Sequence, residues 1–105
     1  MITLTLHLQS KWYDMIRDFE KREEYREKKQ YWASRLVSGI TTLQDALGRP
    51  TYIFRHYDCV RFYRGYTKEC MTFEVKHIKL GFGNPAWGAV SDEECFVIVL
   101  GKRIK

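Results

Sequence analysis

The chain has 105 residues, 45% hydrophobic and 30% charged, with a formal net charge of +5. At this size one core forms and buries roughly 65% of the extended chain's surface, so no disulfide or metal staple is required. The balance excludes a disordered segment, residues 95–100 (the longest apolar run) are too few to span a bilayer, and three cysteines cannot all pair. Residues 1–8 carry neither a basic flank nor a cleavage pattern. The expectation is a single soluble, cytoplasmic domain over residues 1–105.

Ile2, Leu4, Leu6 and Leu8 alternate with Thr3, Thr5 and His7, the period of a half-buried strand. Ser10 can then cap a helix with its hydroxyl. On that helix Trp12, Met15, Ile16 and Phe19 form one apolar stripe, which reads as core. Residues 20–29 run Glu-Lys-Arg-Glu-Glu-Tyr-Arg-Glu-Lys-Lys and read, by themselves, as a solvated helical face continuing the first helix. Tyr31, Trp32, Arg35 and Leu36 predict a second short helix ending near Gly39. Thr42 and Gly48 bracket a further helical turn, which Pro50 separates from the strand-rich remainder of the chain.

The second half reads as sheet. Residues 59–62, 71–80 and 96–100 are rich in β-branched and aromatic side chains between turn signals. Within 71–80 the apolar phase switches from Met71, Phe73 and Val75 to Ile78 and Leu80, so a bulge is expected near Lys76 and His77. Gly65, Gly81, Gly83, Asn84-Pro85 and Gly88 supply turns. Helices early and strands late predict an α+β fold that suits a small barrel, with Trp12, Ile16, Phe73 and Ile98 in its core.

The charge surplus is concentrated. Residues 49–68 hold Arg49, Arg55, Arg61, Arg64 and Lys68 against the single acid Asp58, a net of +4 of the total +5. Tyr63 and Tyr66 lie in the same stretch. Arginine interleaved with aromatic rings suits a surface that neutralises phosphates and stacks bases. It equally suits a strand pair with rings inward and arginines in water. Other chemistry finds little purchase: His56-x-x-Cys59 is the only close ligand pair for zinc, and Gly81-Phe82-Gly83 lacks the pattern of a phosphate loop. No cofactor is implied.

Trp12-Tyr13-Asp14-Met15-Ile16, Glu20-Lys21, Glu23-Glu24-Tyr25-Arg26, Tyr31-Trp32 and Arg35-Leu36 occur in that order. Asp58-Cys59-Val60, Phe62, Gly65-Tyr66, the Met71 to Val75 run, Trp87-Gly88-Ala89 and Phe96 through Gly101 come after them. The set resembles the ASCH domains of the PUA-like superfamily over most of the chain, with residues 38–57 as an insertion. The resemblance implies a small antiparallel PUA-like β-barrel with short helices packed around it and a ligand cleft at its side. It maps the family's lysine and arginine onto Lys21 and Arg26, and a central-strand carboxylate onto Glu74. Two positions depart from the family. Its glycine before the lysine is Phe19 here, and the threonine nucleophile of its amidohydrolases is Glu24, a poor substitute for a hydroxyl.

The expected function is nucleic-acid binding, with RNA or a nucleotide-like ligand as partner and RNA preferred through the resemblance. Arg49, Arg55, Arg61, Arg64, Lys68, Tyr63 and Tyr66 are then the nucleic-acid contacts, and Lys21, Arg26 and Glu74 the ligand site. The alternative is an RNA- or nucleoside-directed hydrolase, a ribonuclease or amidohydrolase, with Lys21, Glu74 and Glu24 as its catalytic groups. A small-molecule or protein-interaction domain is the third reading. Lys21, Arg26 and Glu74 are expected to converge on one pocket; in extended backbone Glu24 and Arg26 share a face, which puts Glu24 at the pocket's rim and Tyr25 turned into the barrel.

Overall fold

The computed structural model describes all 105 residues. In chain order the elements are β1 (Thr3–Leu8), α1 (Ser10–Arg17), β2 (Glu23–Glu27), α2 (Gln30–Leu36), β3 (Val37–Gln44) and β4 (Pro50–Phe54). β5 (Cys59–Arg64), β6 (Cys70–Phe82), a 3-10 turn at Pro85–Trp87 and β7 (Glu94–Arg103) complete the chain. No helix is long and apolar enough to cross a membrane.

Alternation along β1 buries Leu4, Leu6 and Leu8 and leaves Thr5 and His7 outside, as its period of two requires. β1 pairs in parallel with β5, and β5–β6, β6–β7 and β7–β2 are antiparallel. The five-stranded order is β1-β5-β6-β7-β2. The expected all-antiparallel barrel is therefore a mixed, curled sheet, a half-barrel. Parallel pairing needs a long crossover, and everything from α1 to β4 forms it. The two edge strands end up facing each other: Arg26 Nη2 on β2 donates to the His7 carbonyl on β1 at 3.4 Å.

β6 bends to serve two neighbours. Its register on β7 slips between Val75 and His77, the bulge that the phase change predicts.

α1 stops at Arg17 instead of running on through the charged segment. The Phe19 amide donates to the Ile16 carbonyl and the Glu20 amide to the Met15 carbonyl, at 3.1 and 2.9 Å. Phe19 itself sits at φ 61°. These two bonds around a left-handed residue make a Schellman ending, with phenylalanine where glycine is usual. Residues 20–29 then leave as extended chain and become β2, which corrects the continuous-helix reading. Ser10 is also not the cap: Gln9 holds that position without a side-chain hydrogen bond, because β1 ends only one residue earlier.

α2 ends at Leu36, before Gly39, because Val37 already takes extended dihedrals and opens β3. The helical turn expected at Thr42 to Gly48 is absent. β3 continues to Gln44, and Asp45 Oδ1 accepts from the Leu47 and Arg49 amides to close a hairpin loop, with Gly48 at φ 78°. An isolated five-residue helix cannot meet its nucleation cost, whereas an Asp-centred loop satisfies its amides locally. The hairpin β3–β4 lays Tyr52 and Phe54 edge-on against Phe96, with ring centres 6.1 and 6.0 Å away.

One core joins the sheet's inner face to both helices, through Leu6, Phe62, Phe73, Phe96 and Ile98 from strands and Tyr13, Ile16 and Leu36 from helices. Ile16, Phe73 and Ile98 are core as expected. Trp12 is not; Tyr13 takes the inward position, and Trp12 turns towards the seam between β1 and β2.

Candidate nucleic-acid interface

The Schellman ending aims Lys21 inwards, and its side chain is only 1% exposed. Lys21 Nζ donates to the Trp87 carbonyl at 2.5 Å and to Glu24 Oε1 at 3.1 Å. It also lies 4.6 Å from the Tyr25 ring centre and 5.4 Å from that of Trp12. Burial lowers its pKa from 10.5, and the Glu24 carboxylate opposes that shift. On β2, Glu24 and Arg26 share a face by alternation. Arg26 Nη1 donates to Glu24 Oε2 at 2.6 Å and to the Tyr25 carbonyl at 2.7 Å. Glu24 is thus a buried bridge between two cations, at the centre of the cluster and not at a rim.

Two glycines make this packing possible. Gly88 ends the 3-10 turn at φ 103°, and a Cβ placed on it would lie 3.1 Å from the Trp12 indole. A Cβ on Gly83 would meet the Tyr25 ring at 2.5 Å. The Tyr25 hydroxyl accepts from the Asn84 amide at 2.9 Å and donates to Glu23 at 2.8 Å, and burial pushes its pKa up. Tyr25 therefore anchors the 83–88 loop from outside the core, which corrects its expected inward placement.

Above this cluster, where the half-barrel fails to close, lies an open cleft of about 520 Å³. Trp12, Tyr25, Tyr31, Trp32, Tyr66 and Trp87 all border it, with Arg26, Arg35 and His7. Glu24 is the only acid among the lining residues, and two cations already hold it. Arg26 stacks on Trp32 at 4.9 Å, and Arg35 on Tyr31 at 3.7 Å. The His7 ring stacks with Tyr66 at 5.0 Å and Tyr63 at 5.3 Å, and its Nδ1 donates to the Gly65 carbonyl. Tyr66, at the Gly65 turn, is 94% exposed.

Of the predicted ligand trio, Lys21 and Arg26 meet through Glu24. Glu74 does not join them: it packs beside Gly101 on the central strands, away from the cleft lining. The basic stretch also separates in space. Arg49 is forked onto Glu94 at 3.0 Å and paired with Asp45 at 2.8 Å, and Arg64 is forked onto Asp14 at 3.1 and 3.2 Å. Arg55 and Lys68 are exposed, and Arg61 is half-buried on β5. Only Tyr66 of that set reaches the cleft, while Tyr63 backs it through His7. The cleft's cation at Arg35 and its rings at Trp32 and Trp87 lie outside the stretch that composition singled out. The local signal was the Tyr31-x-x-x-Arg35 spacing, one helical turn that seats the guanidinium on the ring.

No group of three or more His, Cys, Asp or Glu side chains is placed to hold a metal, and His56 pairs with Asp58 at 2.8 Å instead. Comparison with protein-family models, curated proteins and solved structures finds no match to this chain.

Proposed function

We propose that this chain is a PUA-like module of ASCH type that binds single-stranded RNA in the cytoplasm, with unpaired bases held in the seam cleft. The observation that carries the reading is the cleft lining: six aromatic rings and two stacked arginines around one opening, with its single acid neutralised. Rings supply sequence-tolerant platforms for bases, and guanidinium planes add cation–π contact and phosphate pairing. The family resemblance gains support from Phe19, which takes the left-handed conformation that the family's glycine would serve.

Binding is favoured over hydrolysis by how the polar groups are engaged. Lys21 lies beneath the cleft with Nζ committed to Glu24 and the Trp87 carbonyl, and both Glu24 oxygens are tied to cations. Neither is free to take a proton from water. Tryptophan fluorescence titrated with single-stranded RNA and with DNA of the same sequence tests the reading. Affinity is expected to fall steeply with salt, to favour RNA, and to drop in Trp32→Ala by roughly 10- to 100-fold, the range for losing a base-stacking ring. Salt-insensitive binding, or none at low salt, would refute it.

A further inference from the structure

β1 is an edge strand along the seam, where the Arg26 side chain reaches its His7 carbonyl. The cleft occupies one end of it, at Thr5 to Gln9. At the other end, beside Ile2, a second groove is formed by Arg55, His56, Tyr57 and Phe54. The same residues also border a hollow of about 260 Å³, walled by Val75, Lys76, His77 and Ile78 of β6. The bulge matters here. It leaves Lys76 and His77 both exposed in succession, where a regular strand would have turned one of them inward. Arg55, Lys76 and His77 have no ion-pair partner, and His56 has only Asp58. Of the acids nearby in the chain, Asp58 also accepts the Ile2 amide, and Glu74 lies beside Gly101 with no ion pair to Lys76.

The last turn of α2 joins the two sites. Its Arg35 side chain flanks the cleft, while its Arg35 carbonyl accepts from the Tyr57 hydroxyl at 2.7 Å and its Leu36 carbonyl from the Arg55 amide at 2.8 Å. From Ile2 to His7 the strand covers about 17 Å at its usual rise per residue.

We propose that the groove continues the cleft as a phosphate track. Arg55, Lys76 and His77 hold the sugar-phosphate backbone of the same single strand whose bases stack at the other end of β1. The occupied site is then about four nucleotides, the lower end of single-strand sites on small β-folds. This rests on the RNA-binding reading and adds its length and its second anchor.

The test titrates the whole chain with a dinucleotide, a tetranucleotide and a hexanucleotide of single-stranded RNA at several salt concentrations. Affinity is expected to rise up to four nucleotides and then level off. Arg55→Ala/Lys76→Ala, changing two exposed side chains, should melt like the wild type. It should bind the hexanucleotide about 25-fold more weakly at 0.1 M salt, with a log–log salt slope shallower by about 1.4, as two lost phosphate contacts predict. Hexanucleotide affinity and slope equal to the wild type's would overturn the track while leaving dinucleotide binding to stand for the cleft. Loss in Arg55→Ala/Lys76→Ala with none in Trp32→Ala would overturn the shared strand, because the groove would then act alone. No binding of any length would remove the cleft reading itself and the track with it.

Discussion

Replacing Lys21 by methionine keeps most of the side chain's volume and removes only its charge and donors. In the folded protein this leaves the Trp87 carbonyl and Glu24 Oε1 without their lysine partner in a site where Lys21 itself is 1% exposed. Breaking a buried pair from one side costs about 3–5 kcal/mol when the remaining charge is left alone; Arg26 still holds Glu24 Oε2 here, so the lower end, about 3 kcal/mol, is expected. A domain of this length holds roughly 5–15 kcal/mol in all. With an unfolding entropy near 2.1 cal/mol/K per residue, Tm should fall by about 14 °C. Thermal melts followed by circular dichroism read this directly. Lys21→Met/Glu24→Gln removes the carboxylate whose Oε1 has lost its lysine while leaving Arg26 its carbonyl partners, Tyr25 and His7, and is expected to recover part of the loss. A single variant within about 4 °C of the wild type, or a double variant no better than the single, would refute the buried-pair account.

The same lysine makes stability depend on pH. Its folded pKa lies below the unfolded 10.5, so between the two the unfolded chain binds more protons, and stability rises with pH across that window. The gap in urea stability between wild type and Lys21→Met should therefore widen as pH rises towards 10.5; a constant or narrowing gap would contradict the direction of the shift. Gly88→Ala adds a Cβ 3.1 Å from the Trp12 indole at φ 103°, and is expected to cost about 1–3 kcal/mol through strain and a displaced ring. Urea denaturation measures the loss, and tryptophan emission reports whether Trp12 has moved; an unchanged Cm and spectrum would show that Gly88 does not seat the ring.

Much of the sheet was legible because strand periodicity is a local property read against a buried face. Leu4, Leu6 and Leu8 declared β1, and the phase switch from Val75 to Ile78 declared the bulge. The pairing of Glu24 with Arg26 on one face of β2 followed from alternation alone. Less was legible where two local solutions compete. The 42–48 segment carries cap residues for a helix, yet Asp45 closes a hairpin whose Tyr52 and Phe54 find Phe96. Trp12 and Tyr13 are adjacent, and only the packing of α1 on the sheet chose which of them faces the core.

By itself, the sequence determined the α+β class, where the long strands lie, and that one basic, ring-rich stretch carries most of the net charge. Tertiary structure decided which cations are free. Arg49 finds Glu94 across 45 residues and Arg64 finds Asp14 across 50, so two of the five cations in the stretch that carries the net charge are held by acids. Arg35, from a segment that looked balanced in charge, borders the cleft without a carboxylate partner, while Arg26 beside it is held by Glu24. The reason is physical: a side chain's charge is set by its residue type, but its availability to a partner is set by which opposite charge the fold brings within a few ångströms.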